Sequence, residues 1–315
     1  MTLRRLLVAA LLLRSAAGLS GEVIAWPVQT KAQGIPEFTL LLRLPESRPV
    51  KGVMCLSVLG GSVEEVKSRI SGEDTVVYKP FVDWAFAHDY ALIAWGSRTI
   101  WDPHRNWNEL EKKTFRTQDA RFDALATAWD RGVQALARKY ELPTSGYLMH
   151  GISGAGQFAL RLAMRKPDRF WAVHAHVASS FDEPSTIGKS VVWCVTTGEN
   201  EAGYARSRAF FAAATAKGYP LVYKAYPGLA HTGSPSADRL ALACFDFAVA
   251  EGEKAREAAK GKDAKPDWQK TFSAAPYVAD IVNQLVARRE NEERLPPEFR
   301  QPLPTGELVN AWRKE

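Results

Sequence analysis

A serine stands among small residues in the segment His150-Gly-Ile-Ser153-Gly154-Ala155-Gly156. The segment follows an apolar run typical of a strand and precedes a run with helical spacing. On such a strand-to-helix turn, a serine hydroxyl is exposed above the carboxyl edge of a sheet. The amide of Gly154 then points to where an oxyanion would form, and the helix N-terminus adds a favourable dipole. The pattern predicts Ser153 as the nucleophile of an acyl transfer.

A serine nucleophile needs a base and a group that orients the base. Only three histidines follow Ser153, and His174 and His176 lie inside a predicted buried strand. These two are expected to be structural, although His176, near the strand's carboxyl end, could edge the pocket. His231 follows the last predicted strand and is the predicted general base.

The orienting acid should follow the strand before the one that leads to the base, in Gly198-Glu199-Asn200-Glu201. Glu201 lies deeper in this loop and is the preferred acid. Glu199 is the alternative. Either carboxylate would hold the imidazole tautomer and stabilise the imidazolium.

A second oxyanion donor should come from the loop after the third core strand, where Leu59-Gly60-Gly61-Ser62 stands. Two glycines allow the backbone to approach a substrate oxygen closely. Gly61 N–H is the preferred donor, and Gly60 or Leu59 is the alternative. A plain turn is the competing interpretation of this segment.

Two loops bear on the substrate. The long loop after Trp95 leaves a carboxyl strand end and should border the site. There Trp101 and Trp107 could stack on a sugar or an aromatic acyl group, and Arg98 or Arg105 could meet a carboxylate; the alternative is that they only pack the loop. About a dozen residues separate Val177 from Ser190, which leaves no room for a cap domain there.

The elements that must position these residues alternate along the chain. Apolar runs predict strands at Phe38–Leu44, Gly52–Val58, Tyr90–Trp95, Gly146–His150, Trp171–Val177, Ser190–Thr196 and Leu221–Tyr226. Helical spacing falls at Phe81–His88, 119–140, Gly156–Arg165, Arg206–Ala216 and Ala237–Ala250. This alternation predicts an α/β protein with a largely parallel sheet and helices on both faces.

The two ends of the 315-residue chain differ from this pattern. Residues 1–17 combine two early arginines, an apolar run too short to span a membrane and small residues, which predicts a signal peptide and export. The alternative is a cytosolic protein with an apolar N-terminus. Removing 1–17 deletes three arginines and no acid, so the net charge falls from +6 to +3. Residues 251–267 are charged and predict either a helix extension or a linker, and residues 268–315 are predicted to be a tail packed on the domain.

Composition and missing motifs exclude several classes. A hydrophobic fraction of 46% and a charged fraction of 24% are ordinary for a globular chain and exclude a mainly disordered or multi-span one. The sequence contains no basic run interleaved with aromatic residues, so nucleic-acid binding is not expected. No cysteine follows the N-terminal apolar run, so a lipid anchor is not expected. No motif predicts a metal, a nucleotide or another cofactor. Three scattered cysteines are expected to be buried free thiols.

Residues 35–250 resemble an α/β-hydrolase of the serine esterase type. The resemblance rests on G-I-S-G-A-G-Q-F at 151–158, T-G-E-N-E at 197–201 and P-G-L-A-H at 227–231. Within that family, the segment is most similar to secreted depolymerases and feruloyl esterases. It implies an eight-stranded, mostly parallel sheet, hydrolysis of esters and the serine, acid and histidine roles for Ser153, Glu201 and His231. Ala155 and Leu59 depart from the family pattern, which usually has glycine and histidine there.

We therefore expect an exported serine hydrolase that cleaves small or polymeric carboxylic esters through an acyl-enzyme, without a cofactor, nucleic acid or stable membrane anchor. A serine peptidase of the same fold is one alternative, because its nucleophile would be built in the same way. A non-catalytic binding module on a hydrolase scaffold is the other. The sequence does not indicate an oligomeric state.

Overall fold

Eight strands form one sheet in the computed structural model, which describes residues 21–30, 37–60, 62–71, 77–96, 119–260 and 264–314. The strands are β1 Val23–Val28, β2 Phe38–Arg43, β3 Gly52–Val58, β4 Tyr90–Gly96, β5 Tyr147–Ile152, β6 Phe170–His176, β7 Val192–Gly198 and β8 Leu221–Tyr226. Their order is β1-β2-β4-β3-β5-β6-β7-β8, and β2 runs antiparallel to both of its neighbours. The other pairs are parallel, which confirms the prediction of a mostly parallel sheet.

The central strands are buried along their whole length. Every residue of β3, β4, β6, β7 and β8 is buried, because helices cover both faces of the sheet. Such strands are continuous apolar runs rather than alternating ones, which is why their sequences stood out. β3 and β8 begin and end at the predicted residues, and the other predicted strands shift by one or two residues at an end.

The helices of the described chain divide between the two faces. They are α1 Val63–Ser71, α2 Lys79–Ala87, α3 Asp119–Tyr140, α4 Gly154–Arg165, α5 Tyr204–Ala216, α6 Pro235–Ala258, α7 Trp268–Ser273 and α8 Gly306–Arg313. On one face, Trp95 of β4 packs against Trp129 of α3 and Phe158 of α4. On the other, Phe81 of α2 stacks on His150 of β5 and meets Phe245 of α6.

Helix α6 is longer than its sequence pattern predicts. Ser234 caps its start, with its hydroxyl accepting the amide of Ala237, and Pro235 takes the first helical position. The helix continues to Ala258, so residues 251–258 form the charged helix extension, one of the two interpretations of this stretch, rather than a linker. Its glutamates, lysine and alanines have high helix propensity, which explains why no break occurs there.

The C-terminal segment forms a second, small sheet against β8. Its strands are β9 Tyr277–Asp280, β10 Leu285–Arg288 and β11 Arg300–Leu303, in the antiparallel order β10-β9-β11. The amide of Gln301 accepts from Tyr223 N at 2.6 Å and donates to Tyr223 O at 2.7 Å. Trp312, from α8, donates to the same carbonyl at 2.8 Å. We call this the β8 edge: the outer side of β8, bonded by side chains rather than by a further strand.

Several elements, most of them short, were not predicted from the sequence patterns. These are β1, α1, α7, the three strands of the small sheet and α8. All three cysteines are buried and free, and the thiol of Cys194 lies within hydrogen-bonding reach of Cys244, a contact that the sequence did not indicate. Within the described ranges no helix is long and apolar enough to cross a membrane.

Candidate active site

Ser153 stands between β5 and α4, at the carboxyl edge of the sheet. It is the N-cap of α4, with φ 57° and ψ −128°, a region that residues other than glycine rarely adopt. Such a backbone costs on the order of 1–3 kcal/mol and persists only where the surroundings enforce it. The bond from Ser153 N to His176 O, 2.8 Å long, ties the turn to the end of β6. The serine is thus held in a strained turn with its hydroxyl in front of the helix.

Close backbone contacts explain which small residues this turn needs. A Cβ on Gly151 would collide with the carbonyl of Ala155. A Cβ on Gly156 would lie 3.0 Å from the Gly151 oxygen and 3.4 Å from the Ala175 side chain. Ala155 itself is fully buried with its methyl group accommodated. The departure from the family pattern at Ala155 therefore leaves the geometry of the turn intact.

Three side chains from three loops form one hydrogen-bonded line. Ser153 Oγ lies 2.8 Å from His231 Nε2, and His231 Nδ1 lies 3.0 Å from Glu201 Oε1. A carboxylate can only accept, so Nδ1 carries the proton and Nε2 presents its lone pair to the serine hydroxyl. The Glu201 side chain is 1% exposed and that of His231 48% exposed. Chemically, this line can take a proton from the serine as its oxygen attacks.

Glycines let the acid and the base approach each other. Gly198 ends β7, and a Cβ there would strike the Leu229 carbonyl of the loop that carries His231. Asn200 N donates to Leu229 O at 3.0 Å, so the two loops are bonded together. Gly203 N donates to Glu201 Oε2, and a Cβ on Gly203 would overlap that oxygen. Both oxygens of the buried carboxylate are therefore engaged.

The structure brings Glu201, and not Glu199, to the imidazole. Glu199 stands one residue past the end of β7, where its amide donates to Tyr226 O at 3.1 Å, and its side chain is half-buried. Two further residues are needed for the chain to turn back toward the sheet edge, and this turn brings Glu201 to His231. The order of the two acids along the loop is the signal that favoured Glu201.

The backbone amides considered as oxyanion donors differ in availability. Gly154 N belongs to the first turn of α4, where amides lack an intrahelical partner. Gly60 N donates to Val58 O at 2.9 Å, and Leu59 N donates to the Tyr78 hydroxyl at 2.9 Å. Burial raises the pKa of Tyr78 to about 12, so this hydroxyl stays protonated. The alternatives Gly60 and Leu59 are thus engaged elsewhere, and Gly61 lies outside the described residues.

A pocket of about 210 Å³ opens beside the serine. Its wall is mainly apolar, with Tyr78 and one cationic side chain, Arg69. The residues that line it are Leu59, Arg69, Val77, Tyr78, Ile152, Ser153, Val177, His231 and Thr232. Trp101, Trp107, Arg98 and Arg105, predicted to border the substrate, lie outside the described residues. Where the chain is described, no cluster of three His, Cys, Asp or Glu side chains is arranged to hold a metal ion.

A row of buried polar side chains, which no local sequence pattern indicates, lies on the sheet face below the site. His150 Nδ1 lies 2.9 Å from His174 Nδ1, and Thr196 Oγ1 lies 2.8 Å from both His174 Nε2 and His176 Nδ1. His176 Nε2 then reaches Thr232 O at 2.8 Å. Burial lowers the pKa of His150 and His174 well below the ordinary value, and that of His176 to about 4. His176 is buried, as expected of a structural histidine, and it does not line the pocket that it could have edged.

The strand order, the single reversed strand and the strained serine between β5 and α4 define the α/β-hydrolase fold. No protein-family model matches this sequence, and no curated protein matches it.

Solved structures are similar in fold. A thermostable esterase is 17% identical with a TM-score of 0.50, covering 81% of this chain and 61% of the esterase chain. A ferulic acid esterase is 17% identical with a TM-score of 0.48, covering 73% of this chain and 98% of the other. A poly(3-hydroxybutyrate) depolymerase from Bordetella parapertussis is 16% identical with a TM-score of 0.49, covering 71% and 88%. At these identities the likeness concerns the fold alone.

Proposed function

We propose that this chain is a serine hydrolase that cleaves carboxylic esters through an acyl-enzyme. The observation that carries the proposal is the hydrogen-bonded line from Ser153 through His231 to Glu201 beside an open pocket. A merely structural serine would not need a strained backbone, a half-exposed imidazole and a buried acid in this order. The fold supports the proposal, because it presents these three residues after the carboxyl ends of β5, β7 and β8, which lie at one border of the parallel sheet.

In the proposed mechanism Ser153 Oγ attacks the ester carbonyl while His231 Nε2 takes its proton. The imidazolium then gives this proton to the departing alcohol oxygen, which leaves an acyl group on Ser153. Water repeats the sequence and releases the acid. Glu201 stays ionised and holds the proton on Nδ1, so that Nε2 always faces the serine.

We assign the oxyanion to the amide of Gly154 and to that of Gly61. The position of the Gly154 amide in the first turn of α4, where amides have no intrahelical acceptor, and the positive end of the helix dipole support the first. Leu59 N and Gly60 N already donate to other oxygens. We therefore propose Gly61 N as the second oxyanion donor. Removing one such donor costs roughly 10²–10³ in kcat in serine hydrolases.

We also propose export, on the pattern of residues 1–17. Mass spectrometry of the N-terminal peptide, on protein recovered from the medium or the periplasm, tests export separately from activity. A mature chain beginning near residue 18 supports export, and a chain that keeps Met1 in the cytosol contradicts it.

The experiment is a fluorophosphonate label followed by a panel of p-nitrophenyl esters of increasing acyl length. We expect one labelled site per chain and hydrolysis that Ser153→Ala lowers by on the order of 10⁶. Ser180→Ala, an exposed serine near the site, is the matched control and should keep full labelling. Labelling that survives Ser153→Ala would refute the mechanism. Amide cleavage faster than ester cleavage would indicate a peptidase instead.

A further inference from the structure

The loop that carries His231 has an anchor on each side of the histidine. Upstream, Asn200 N donates to Leu229 O at 3.0 Å. Downstream, His176 Nε2 lies 2.8 Å from Thr232 O. Thr232 N also donates to Ala230 O at 2.9 Å, which closes a tight turn around His231. Fixing the Thr232 carbonyl therefore fixes the backbone from which the imidazole projects.

The hydrogen bonds of the buried row behind this anchor all run in one donor-to-acceptor direction, from His150 toward Thr232. A carbonyl cannot donate, so His176 must carry its proton on Nε2, and its Nδ1 must accept from the Thr196 hydroxyl. The same hydroxyl oxygen then accepts from His174 Nε2, which leaves His174 Nδ1 to accept from His150 Nδ1. His150 Nε2 ends the row as a lone pair that has no hydrogen-bond partner among the residues that the structure describes. Every ring is neutral, and each tautomer follows from the next.

The cost of this row suggests that it serves more than packing. Its members are 0–1% exposed, and buried polar groups cost free energy unless each bond is made. An apolar row would fill the same space between the sheet and Phe81 of α2 without that cost. What an apolar row lacks is a donor aimed at Thr232.

We propose that His176 is a positioning residue for His231: its Nε2–H holds the Thr232 carbonyl, and Thr196 fixes the tautomer that makes this bond. The inference rests on the proposed function for its kinetic consequence and on geometry alone for its structural one. The imidazole has to stay within bonding distance of a serine hydroxyl, and a displacement of 1 Å can cost about 10² in rate.

The test compares substitutions that keep or remove the donor. His176→Leu removes it, whereas His176→Gln can still donate an amide N–H to Thr232. Thr196→Val removes the hydroxyl that sets the tautomer, and Thr196→Ser restores it. Cys194→Ala is the matched control for packing, because Cys194 is buried on the strand of Thr196 but neighbours Cys244 rather than bonding to the row.

Turnover is measured per active site titrated with the fluorophosphonate, so that unfolded protein does not count. We expect His176→Leu to lower kcat by on the order of 10² with KM changed less than about twofold, since His231 acts on the reaction and not on substrate binding. His176→Gln and Thr196→Ser should recover most of kcat, and Cys194→Ala should keep it. Wild-type kcat in His176→Leu, or equal losses in His176→Leu and His176→Gln, would overturn the proposal.

A second readout does not depend on hydrolysis. The His231 Nδ1–H that donates to Glu201 should give a downfield proton resonance in the wild type. We expect it to broaden or disappear in His176→Leu and to persist in His176→Gln and Cys194→Ala. A resonance unchanged in His176→Leu would refute positioning even if no ester were ever hydrolysed, whereas a missing fluorophosphonate label would refute only the proposed function.

Discussion

Two borders of the same sheet use polar side chains in opposite ways. At the carboxyl edge, Ser153, Glu201 and His231 come from three loops and bond mainly to one another. At the β8 edge, Gln301 and Trp312 bond to the backbone of Tyr223 and take the place of a ninth strand. The first border leaves an imidazole half-exposed, and the second leaves its bonding groups buried.

This difference separates function from stability. The carboxyl edge leaves a bond that can be remade during a reaction, because among the described residues the serine hydroxyl bonds to His231 Nε2 alone. The β8 edge satisfies backbone groups that would otherwise offer a template for another chain. Substitutions at the first should therefore cost activity, and substitutions at the second should cost stability.

After the loss of the nucleophile itself, the largest effect at the two borders is expected from Glu201→Gln. An amide at this position turns an N–H toward His231 Nδ1 and favours the wrong tautomer, which lowers kcat by about 10⁴ in serine hydrolases. Glu199→Gln is the matched control in the same loop and should stay within about twofold. Steady-state hydrolysis and urea unfolding of both variants test this. A larger loss in Glu199→Gln would reverse the assignment of the acid.

Acidic pH should lower the free energy of unfolding through a buried histidine on the carboxyl side of the sheet. It should not do so through the side chains at the β8 edge. The pKa of buried His176 is lowered to about 4, whereas an unfolded histidine has a pKa near 6.5. Between these values the unfolded chain binds a proton that the folded chain does not, so stability is present above pH 6.5 and is lost as the pH falls toward 4. The loss is about 3 kcal/mol for this group.

Urea unfolding across this pH window measures the effect. His176→Gln should lose about 3 kcal/mol less than the wild type between pH 6.5 and 4, whatever its stability at neutral pH. Gln301→Ala should lose as much as the wild type, because the amide at the β8 edge does not titrate. Identical pH slopes in the wild type and in His176→Gln would contradict the burial of a neutral ring.

Gln301→Ala should lower the free energy of unfolding by about 1–3 kcal/mol, since the buried Tyr223 N–H then lacks its acceptor. Hydrolysis per titrated site should not change. Gln269→Ala is the control, because the exposed Gln269 only donates to Gly218 O at 3.3 Å. If Gln301→Ala lost turnover at full stability, the two borders would not be separable.

The smallest effect is expected from Trp312→Phe. The indole donates to a Tyr223 carbonyl that still receives the Gln301 amide, so about 1 kcal/mol should be lost. Thermal unfolding at neutral pH is the measurement. A loss greater than that of Gln301→Ala would show that packing of α8, rather than its hydrogen bond, closes this edge.

Sequence patterns predicted the residues of the carboxyl edge better than those of the β8 edge, for a physical reason. The serine turn, the acid and the base each follow a long apolar strand, and parallel strands gather their carboxyl ends at one border. Gln301 lies 78 residues from Tyr223 in a four-residue strand, and no local pattern joins them. Helix α1 buries only Val66 and Ile70, and β1 is an edge strand containing Pro27, so neither has a strong apolar period.

The buried row of His150, His174 and His176 lies between these cases. Each residue was predicted to lie in or at the end of a strand, but their bonds depend on the register in which β5, β6 and β7 pair. One strand alone does not determine that register. The choice of Glu201 over Glu199 depended on loop depth, which a sequence can show, and it agrees with the contact to His231.

The way in which Gln301 and Trp312 complete β8 bears on the order of biosynthesis. A ribosome delivers Ser153, Glu201 and His231, together with all eight strands of the sheet, before it delivers the residues that close the sheet's outer border. A nascent chain halted soon after Ala258 would carry the whole reactive constellation beside an unpaired backbone. Such fragments would pair with one another at that border, so premature termination would yield aggregates rather than a smaller enzyme.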